Sequence, residues 1–592
     1  MAKDGLANGA EASSNGTSSA YSVPNETRAV FEKGILRNPL VSKHLLNGIE
    51  KFAAPVEFTG ADYPSIPINW RFAESIASLK GLEAAYVNAL VHKKSGLPPQ
   101  KVVVDTDHAQ LFIMSTLLWK IDPMGQSPLT LASFADPKAV KRFNTMFKST
   151  DIHGWQTGLH RTNATNIYRT KDHRFFHTHG SLNPEPTLDM LGLPHRTEEE
   201  PQSWDEAIKP FVAKVGSMDS AELQSLAADK YRQAGTICWT PEEYRQSEHG
   251  KANADVGLWE TERAGDAPAS WWPEPSQSEL TGPARPLGGL KVVDMTRIIA
   301  APAITRGLAE LGASVMRVAA PHLPDASPLH LDLNFGKWNT ELDFRKEEDR
   351  QAMWDLILDA DVFVQGYRPG VVEKWGFGAD EVIERCKGRG RGIVVVRENC
   401  YGWHGPWKDR SGWQQISDAC CGVSMEFGRA MGNDEPVTPV FPNSDYCTGV
   451  TGVCAVLDAL IRRSEAGGSY KVDVALNYYS RWLVDTVGAY PPDVWDALWT
   501  KDGRRVFRHY HGMTHMLPQY MQMLMANNAA TLFKPSYFEV RPCENLGTSI
   551  STVAPVLKFP EGNVKPGFHV GTRGNGVDRA VWPQDLLTPI VR

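Results

Sequence analysis

Apolar residues recur at Val450, Val453, Cys454, Leu457, Leu460 and Ile461, the spacing of a helix with one buried stripe. Pro442, Asn443 and Ser444 are helix-entry residues, which puts Asp445 at or just inside the first turn. There the unpaired backbone N–H groups and the helix dipole favour an ionised carboxylate. Gly449 and Gly452 leave the same turns without bulk, so a ligand has room to approach. An ionised carboxylate beside open space suits nucleophilic or proton-transfer chemistry. Taken alone, an Asp at this place serves equally as a helix cap.

The pattern occurs twice. Residues 73–90 predict a buried helix and residues 101–105 a strand, and from Ala89 to Val104 this stretch aligns without a gap to the one 370 residues later. A repeat at that distance implies two copies of one folding unit. The position matching Asp445 in the earlier copy is Ser75, preceded by Glu74. The first copy keeps the packing end of the helix and loses the carboxylate, which points to one working site and one structural copy.

From residue 287 the pattern becomes α/β. Apolar strands at 289–295, 313–318, 362–364 and 393–396 alternate with helices at 303–311, 348–358 and 379–386, the units of a parallel sheet. The basic stretch 387–392 is Gly-rich but has no Lys-Ser/Thr and precedes a strand, so it reads as a surface turn rather than a phosphate loop. Residues 166–177 read as strand, turn, strand. His173, His177 and His179 within and after them match no closed metal-site spacing, so no metal is expected. The organisation that follows is a flexible tail at 1–28, a degenerate first copy at 29–257, and a Trp- and Pro-rich linker at 258–286. A Rossmann-like domain with the active Asp spans 287–480, and the segment 481–592 packs back on the core.

Length alone requires more than one domain. A composition 42% apolar and 22% charged is that of an ordinary globular protein, and a net charge of −7 offers no basic surface for nucleic acid. No run of 18 apolar residues or signal pattern occurs, so neither membrane spanning nor secretion is expected. Eight cysteines without a C-x-x-C pair fit reduced thiols and a cytoplasmic location.

The stretch Leu287-Gly288-Gly289-Leu290-Lys291-Val292-Val293-Asp294-Met295-Thr296-Arg297-Ile298-Ile299-Ala300-Ala301-Pro302 resembles the opening of the family III CoA-transferases (CaiB/BaiF type). Further segments agree in order and spacing: 308–318, Asn334-Phe335-Gly336-Lys337, Gly366-Tyr367-Arg368-Pro369-Gly370, 402–422, and the Asp445 segment itself. The resemblance is strong over about 287–480, and the earlier copy is similar but degenerate. It implies a Rossmann-like α/β domain with a smaller domain, here in two unequal copies, and a homodimer. It also implies CoA or acyl-CoA as co-substrate, a small-molecule carboxylic acid as partner, and Asp445 as the nucleophile that forms an aspartyl anhydride and then an aspartyl thioester. Carried over by position, CoA would meet Ile299 and Ala300. Leu342, Asp343, Phe344 and Arg345 would flank the adenine, and Gly366, Tyr367, Arg368 and Lys374 would line the nucleotide. Ser411, Gly412, Trp413 and Gln414 would border the pantetheine arm.

This chain departs from the pattern at Ala319, Ala320, Trp338 and Asn339, where charged or small polar residues are usual. Three other readings therefore stand beside transfer. One is an α-methylacyl-CoA racemase-like epimerase, although Trp413 occupies the place of the expected His. The others are a CoA-independent lyase or cyclase of secondary metabolism and a non-catalytic scaffold.

Overall fold

A computed structural model describes residues 21–592 apart from Gln156. The first half of the chain is built around a 24-residue helix, α1 (Phe72–Ser95), which stops where Gly96 turns into the left-handed region. The second half contains the main sheet. Its elements in order are β1 (Glu260–Ala264), β2 (Lys291–Met295), α2 (Ala300–Glu310), β3 (Ser314–Ala319), β4 (Lys337–Glu341), α3 (Glu347–Asp359) and β5 (Val362–Gln365). They continue with α4 (Ala379–Arg385), β6 (Val394–Asn399), α5 (Gln414–Cys420), α6 (Asn443–Ala466) and β7 (Ser469–Ala475).

The strands lie in the order β4-β3-β2-β5-β6-β7-β1. All neighbours are parallel except β1, which runs antiparallel to β7 at the edge. The continuous apolar runs of β2, β5 and β6, rich in valine, are what a sheet covered on both faces requires. The chain is thus α/β with a Rossmann-like order that reverses between β2 and β5. In such sheets ligands bind outside the carboxyl ends of the strands at the point of reversal.

α1 and α6 pack side by side. Ser75 meets Cys447, Tyr86 meets Asp458 and Lys93 meets Glu465, each pair 372 residues apart. A constant offset means that the two copies of the helix run in the same direction and in register. The apolar stretch of α6 has the length and composition to cross a membrane, yet all of it lies inside the protein. Its neighbours are protein on every side.

Three stretches differ from the sequence-based expectation. Residues 1–20 of the expected tail lie outside the described residues, while Val23–Ala29 is a helix that buries Val23 and Thr27. The stretch 258–286 carries β1, and the Trp272 indole donates to the carbonyl of Gly288 at 2.7 Å. Its composition reads as linker because an edge strand needs only one neighbour, and Trp supplies the anchoring. In the last segment, Leu557–Lys558 pairs antiparallel with Val102–Asp105, completing a small sheet in the first half.

Two local readings are matched. Asn166–Arg169 and Phe175–Thr178 form an antiparallel pair, with His173 at φ 63° in the turn between them. The basic turn after α4 points Arg389 at the carbonyls of Leu358 and Ala360, where it caps the end of α3.

Candidate active site

Asp445 stands in the first turn of α6, after Pro442, whose ring offers no side-chain cap. Its residue is 9% exposed, and that exposure faces a cavity with about 680 Å³ of empty space, part of it open to solvent. The wall comes from the loop after β2 (Arg297, Ile298, Ile299), the start of α2 (Ala300), the loop after β5 (Gly366 to Pro369) and the end of β6 (Glu398, Asn399, Cys400). Arg410 to Trp413 and Leu476 close it. β2 and β5 are the strands between which the sheet order reverses, so the cavity lies where the topology places a ligand.

The charge state of Asp445 differs from the expectation. Burial, then the nearby carboxyls of Glu398 and Asp418, push its carboxyl well above the ordinary Asp range. Burial also pushes Glu398 up to about 8 and Asp418 up to about 7. The helix terminus favours the anion, but desolvation and two like-charged neighbours outweigh it. All three carboxyls hold their protons above the ordinary carboxyl range.

The glycines also do something other than expected. A Cβ on Gly449 would stand 2.5 Å from the Cβ of Ala303, and one on Gly452 would stand 2.5 Å from Ile304. What approaches closely is therefore α2 rather than a ligand. Small residues let two backbones pack tightly, and α2 in turn carries Ile299 and Ala300 to the cavity rim.

Of the residues carried over by resemblance, Ile299, Ala300, Gly366, Tyr367, Arg368, Ser411, Gly412 and Trp413 come together with Asp445 in this one cavity. Leu342, Phe344 and Arg345 line a second, more apolar hollow of about 480 Å³ with Val371, Val372 and Trp375. Tyr367 lines both, so the two hollows adjoin. Three residues stand elsewhere. Asp343 turns to Arg345, accepting two hydrogen bonds at 2.8 and 2.6 Å. Lys374 is exposed, 5.2 Å from the Trp375 ring at the outer edge of the second hollow. Gln414 is buried behind the cavity, where its amide donates to Asp418.

Sequence reasoning passed over Arg297, Glu398, Asn399, Cys400 and Arg410. A usable signal was present in one case: Glu398 ends the apolar run of a buried parallel strand, where a carboxylate is costly unless it faces a site. It also passed over the part played by the first half of the chain. Trp413 stacks on His179 with ring centres 5.6 Å apart, and its indole donates to Ser181 at 3.0 Å. Arg368 donates to the carbonyl of Arg232 at 2.8 Å and to Gln233 at 3.2 Å. The structural copy therefore holds two walls of the cavity in place. His177 and His179 serve this packing, with His177 bonded to the carbonyl of Thr178.

Comparison with known proteins decides the family. Residues 287–502 match CoA-transferase family III. Over 583 residues the chain is 48% identical to an acetyl-coenzyme A transferase, nodX, of Hypoxylon pulicicidum, covering 97% of this chain and 96% of that relative. The chain belongs to the family III CoA-transferases. An acyl-CoA transferase of Gibberella moniliformis is 29% identical over 558 residues, covering 92% and 93% of the two chains. A solved CaiB/BaiF family protein from Brucella suis is 26% identical over 34% of this chain and 56% of that one, with a TM-score of 0.30. The fold of this CoA-transferase rests on its own sheet order, and the two relatives are similar to it over nearly their whole length.

Proposed function

We propose that this CoA-transferase moves CoA between an acyl-CoA and a carboxylic acid through covalent intermediates on Asp445. The observation that carries the reading is the Asp445 carboxyl, which opens into the cavity and accepts no hydrogen bond from any side chain among the described residues. Attack runs through the ionised form of Asp445, whose lone pairs no partner engages. In the first step an Asp445 oxygen bonds to the thioester carbonyl, the C–S bond breaks, and a mixed anhydride forms. The sulfur then attacks the aspartyl carbonyl, releasing the first acid as its carboxylate and leaving an aspartyl thioester. The acceptor carboxylate attacks that thioester, and the returning sulfur completes the exchange. The burial of Asp445 at the cavity floor limits the access of water to the anhydride.

CoA itself fits the two adjoining hollows. The apolar slot between Phe344, Tyr367 and Trp375 suits a flat adenine ring, and Arg410 at the Asp445 cavity suits a phosphate. Lys337 does not serve the phosphates: it is buried, bonded to Asp294 at 2.9 Å and Thr305 at 2.7 Å. The name of the Hypoxylon relative points to acetyl-CoA as the donor to try first. All eight cysteines are free and buried, which supports a reducing, cytoplasmic setting. The homodimer belongs to the same proposal, and sedimentation of the purified chain tests it.

The test of the reaction is to mix the protein with acetyl-CoA, add hydroxylamine and search peptides for a hydroxamate at residue 445. The adduct is expected in the native protein and absent in Asp445→Asn. Transfer that persists in Asp445→Asn would sink the reading.

A further inference from the structure

The steps above leave one carboxyl of the cavity without work. Glu398, the penultimate residue of β6, is 8% exposed and lines the same cavity as Asp445. Among the described residues no hydrogen bond or ion pair engages its carboxyl, and burial alone accounts for its raised proton affinity. The loop after β5 passes directly over it: a Cβ on Gly366 would lie 3.3 Å from a Glu398 oxygen. The charged and titratable groups lining the cavity with it are Asp445 on α6, Cys400 nearby on the chain, and Arg297, Tyr367, Arg368 and Arg410 in the loops, with Asp418 on α5 beside Asp445. Two of the arginines are turned away. Arg297 donates to the carbonyl of Pro324 and lies over the Tyr367 ring, while Arg368 is bonded to Arg232 and Gln233.

We propose that Glu398 is a catalytic residue, the acid–base partner of the CoA sulfur. The idea rests on the Asp445 reading. The step starts with Asp445 ionised and Glu398 protonated: as the Asp445 oxygen acylates, the electron pair of the broken C–S bond goes to sulfur, which takes the Glu398 proton. A neutral thiol, a Glu398 carboxylate and the mixed anhydride result. When sulfur attacks the aspartyl carbonyl, Glu398 removes that proton again and the first acid leaves as its carboxylate. The second half-reaction repeats the two transfers, so a full turnover neither gains nor loses a proton. The physical need is plain: a thiolate set free among buried carboxyls would be repelled, whereas a thiol is held. A carboxyl raised to about 8 lies close to a thiol at roughly 8.5, so the proton passes either way at little cost.

The experiment measures transfer, acyl-CoA binding and hydroxamate trapping from pH 6 to 10 in the native protein, Glu398→Gln and Asp445→Asn. Glu398→Gln is expected to bind acyl-CoA unchanged and still to label at Asp445, with kcat about 10²-fold lower. The native loss of kcat above about pH 8 should vanish in it, because the group whose proton is lost there is gone. A packing role alone would lower stability and leave the shape of the pH profile intact. Native kcat and an unaltered profile in Glu398→Gln overturn the proposal. Should that variant fail to fold, Glu398→Asp is expected to keep the alkaline limb at reduced kcat, and a limb missing there overturns it equally. An absent adduct in the native protein is a different outcome, which removes the Asp445 reading and this one together.

Discussion

α1 and α6 are both 24 residues long, run in register and begin with an acidic residue in the first turn. Their first turns nevertheless have opposite fates. In α1 the acid is Glu74, which is 0% exposed. Its carboxylate accepts from the hydroxyls of Tyr21 and of Tyr490, the latter at 3.3 Å, and lies 3.6 Å from Arg71. Ser75, the counterpart of Asp445, is tied to the Tyr479 hydroxyl at 2.9 Å. In α6 the acid is Asp445, left without partners at the edge of a cavity. Place on the helix therefore does not make a carboxylate reactive. What matters is whether the neighbours satisfy it, because a satisfied carboxylate has spent its lone pairs.

The sharpest way to break the contrast is to make α6 resemble α1. Asp445→Ser is expected to lower the transfer rate by more than about 10³-fold in a steady-state assay. The same variant should melt higher at neutral pH. The folded protein holds the Asp445 proton to higher pH than the unfolded chain, whose value is near 3.8, so native stability falls as pH rises above that point. The advantage of Asp445→Ser should be absent near pH 4 and grow toward pH 7. Equal melting curves at both pH values would show that Asp445 is not strained by its burial.

The opposite move is to empty the first turn of α1. Glu74→Ala leaves the buried Tyr490 hydroxyl and the half-buried Tyr21 hydroxyl unpaired, while Arg71 keeps Glu26, and should cost roughly 1–3 kcal/mol in denaturant unfolding. Activity per folded molecule should stay within about twofold of native, since Glu74 lies outside the cavity. A similar loss is expected from Gly449→Ala, whose new methyl would meet Ala303: about 1–3 kcal/mol, together with a displaced Ala300 and a raised KM. The least effect is at the far end of the pair. Lys93 and Glu465 are solvated partners, and Lys93→Ala should change stability by less than about 0.5 kcal/mol.

The first half of the chain is structural at its own helix end but not idle. It supplies His179 and Ser181 behind Trp413, and Arg232 and Gln233 behind Arg368. The racemase-like reading needs a base where Trp413 stands, and that ring is instead packed on His179 as a wall.

Periodicity and spacing determined much of this molecule on their own. The α/β register after residue 287, the long helices of both copies, the hairpin at His173 and the place of Asp445 in a first turn all follow from local rules, since helices and buried strands imprint their periods on neighbouring residues. Tertiary structure alone decided the rest. It buried Asp445 and brought Glu398 and Asp418 within electrostatic reach, which together push its carboxyl above the range that the helix terminus alone would favour. It assigned Gly449 to a helix contact, made an edge strand of the presumed linker, and lent the first half to the walls of the cavity. Each of these depends on groups far apart along the chain, and desolvation and charge repulsion act through space, where no window of sequence can register them.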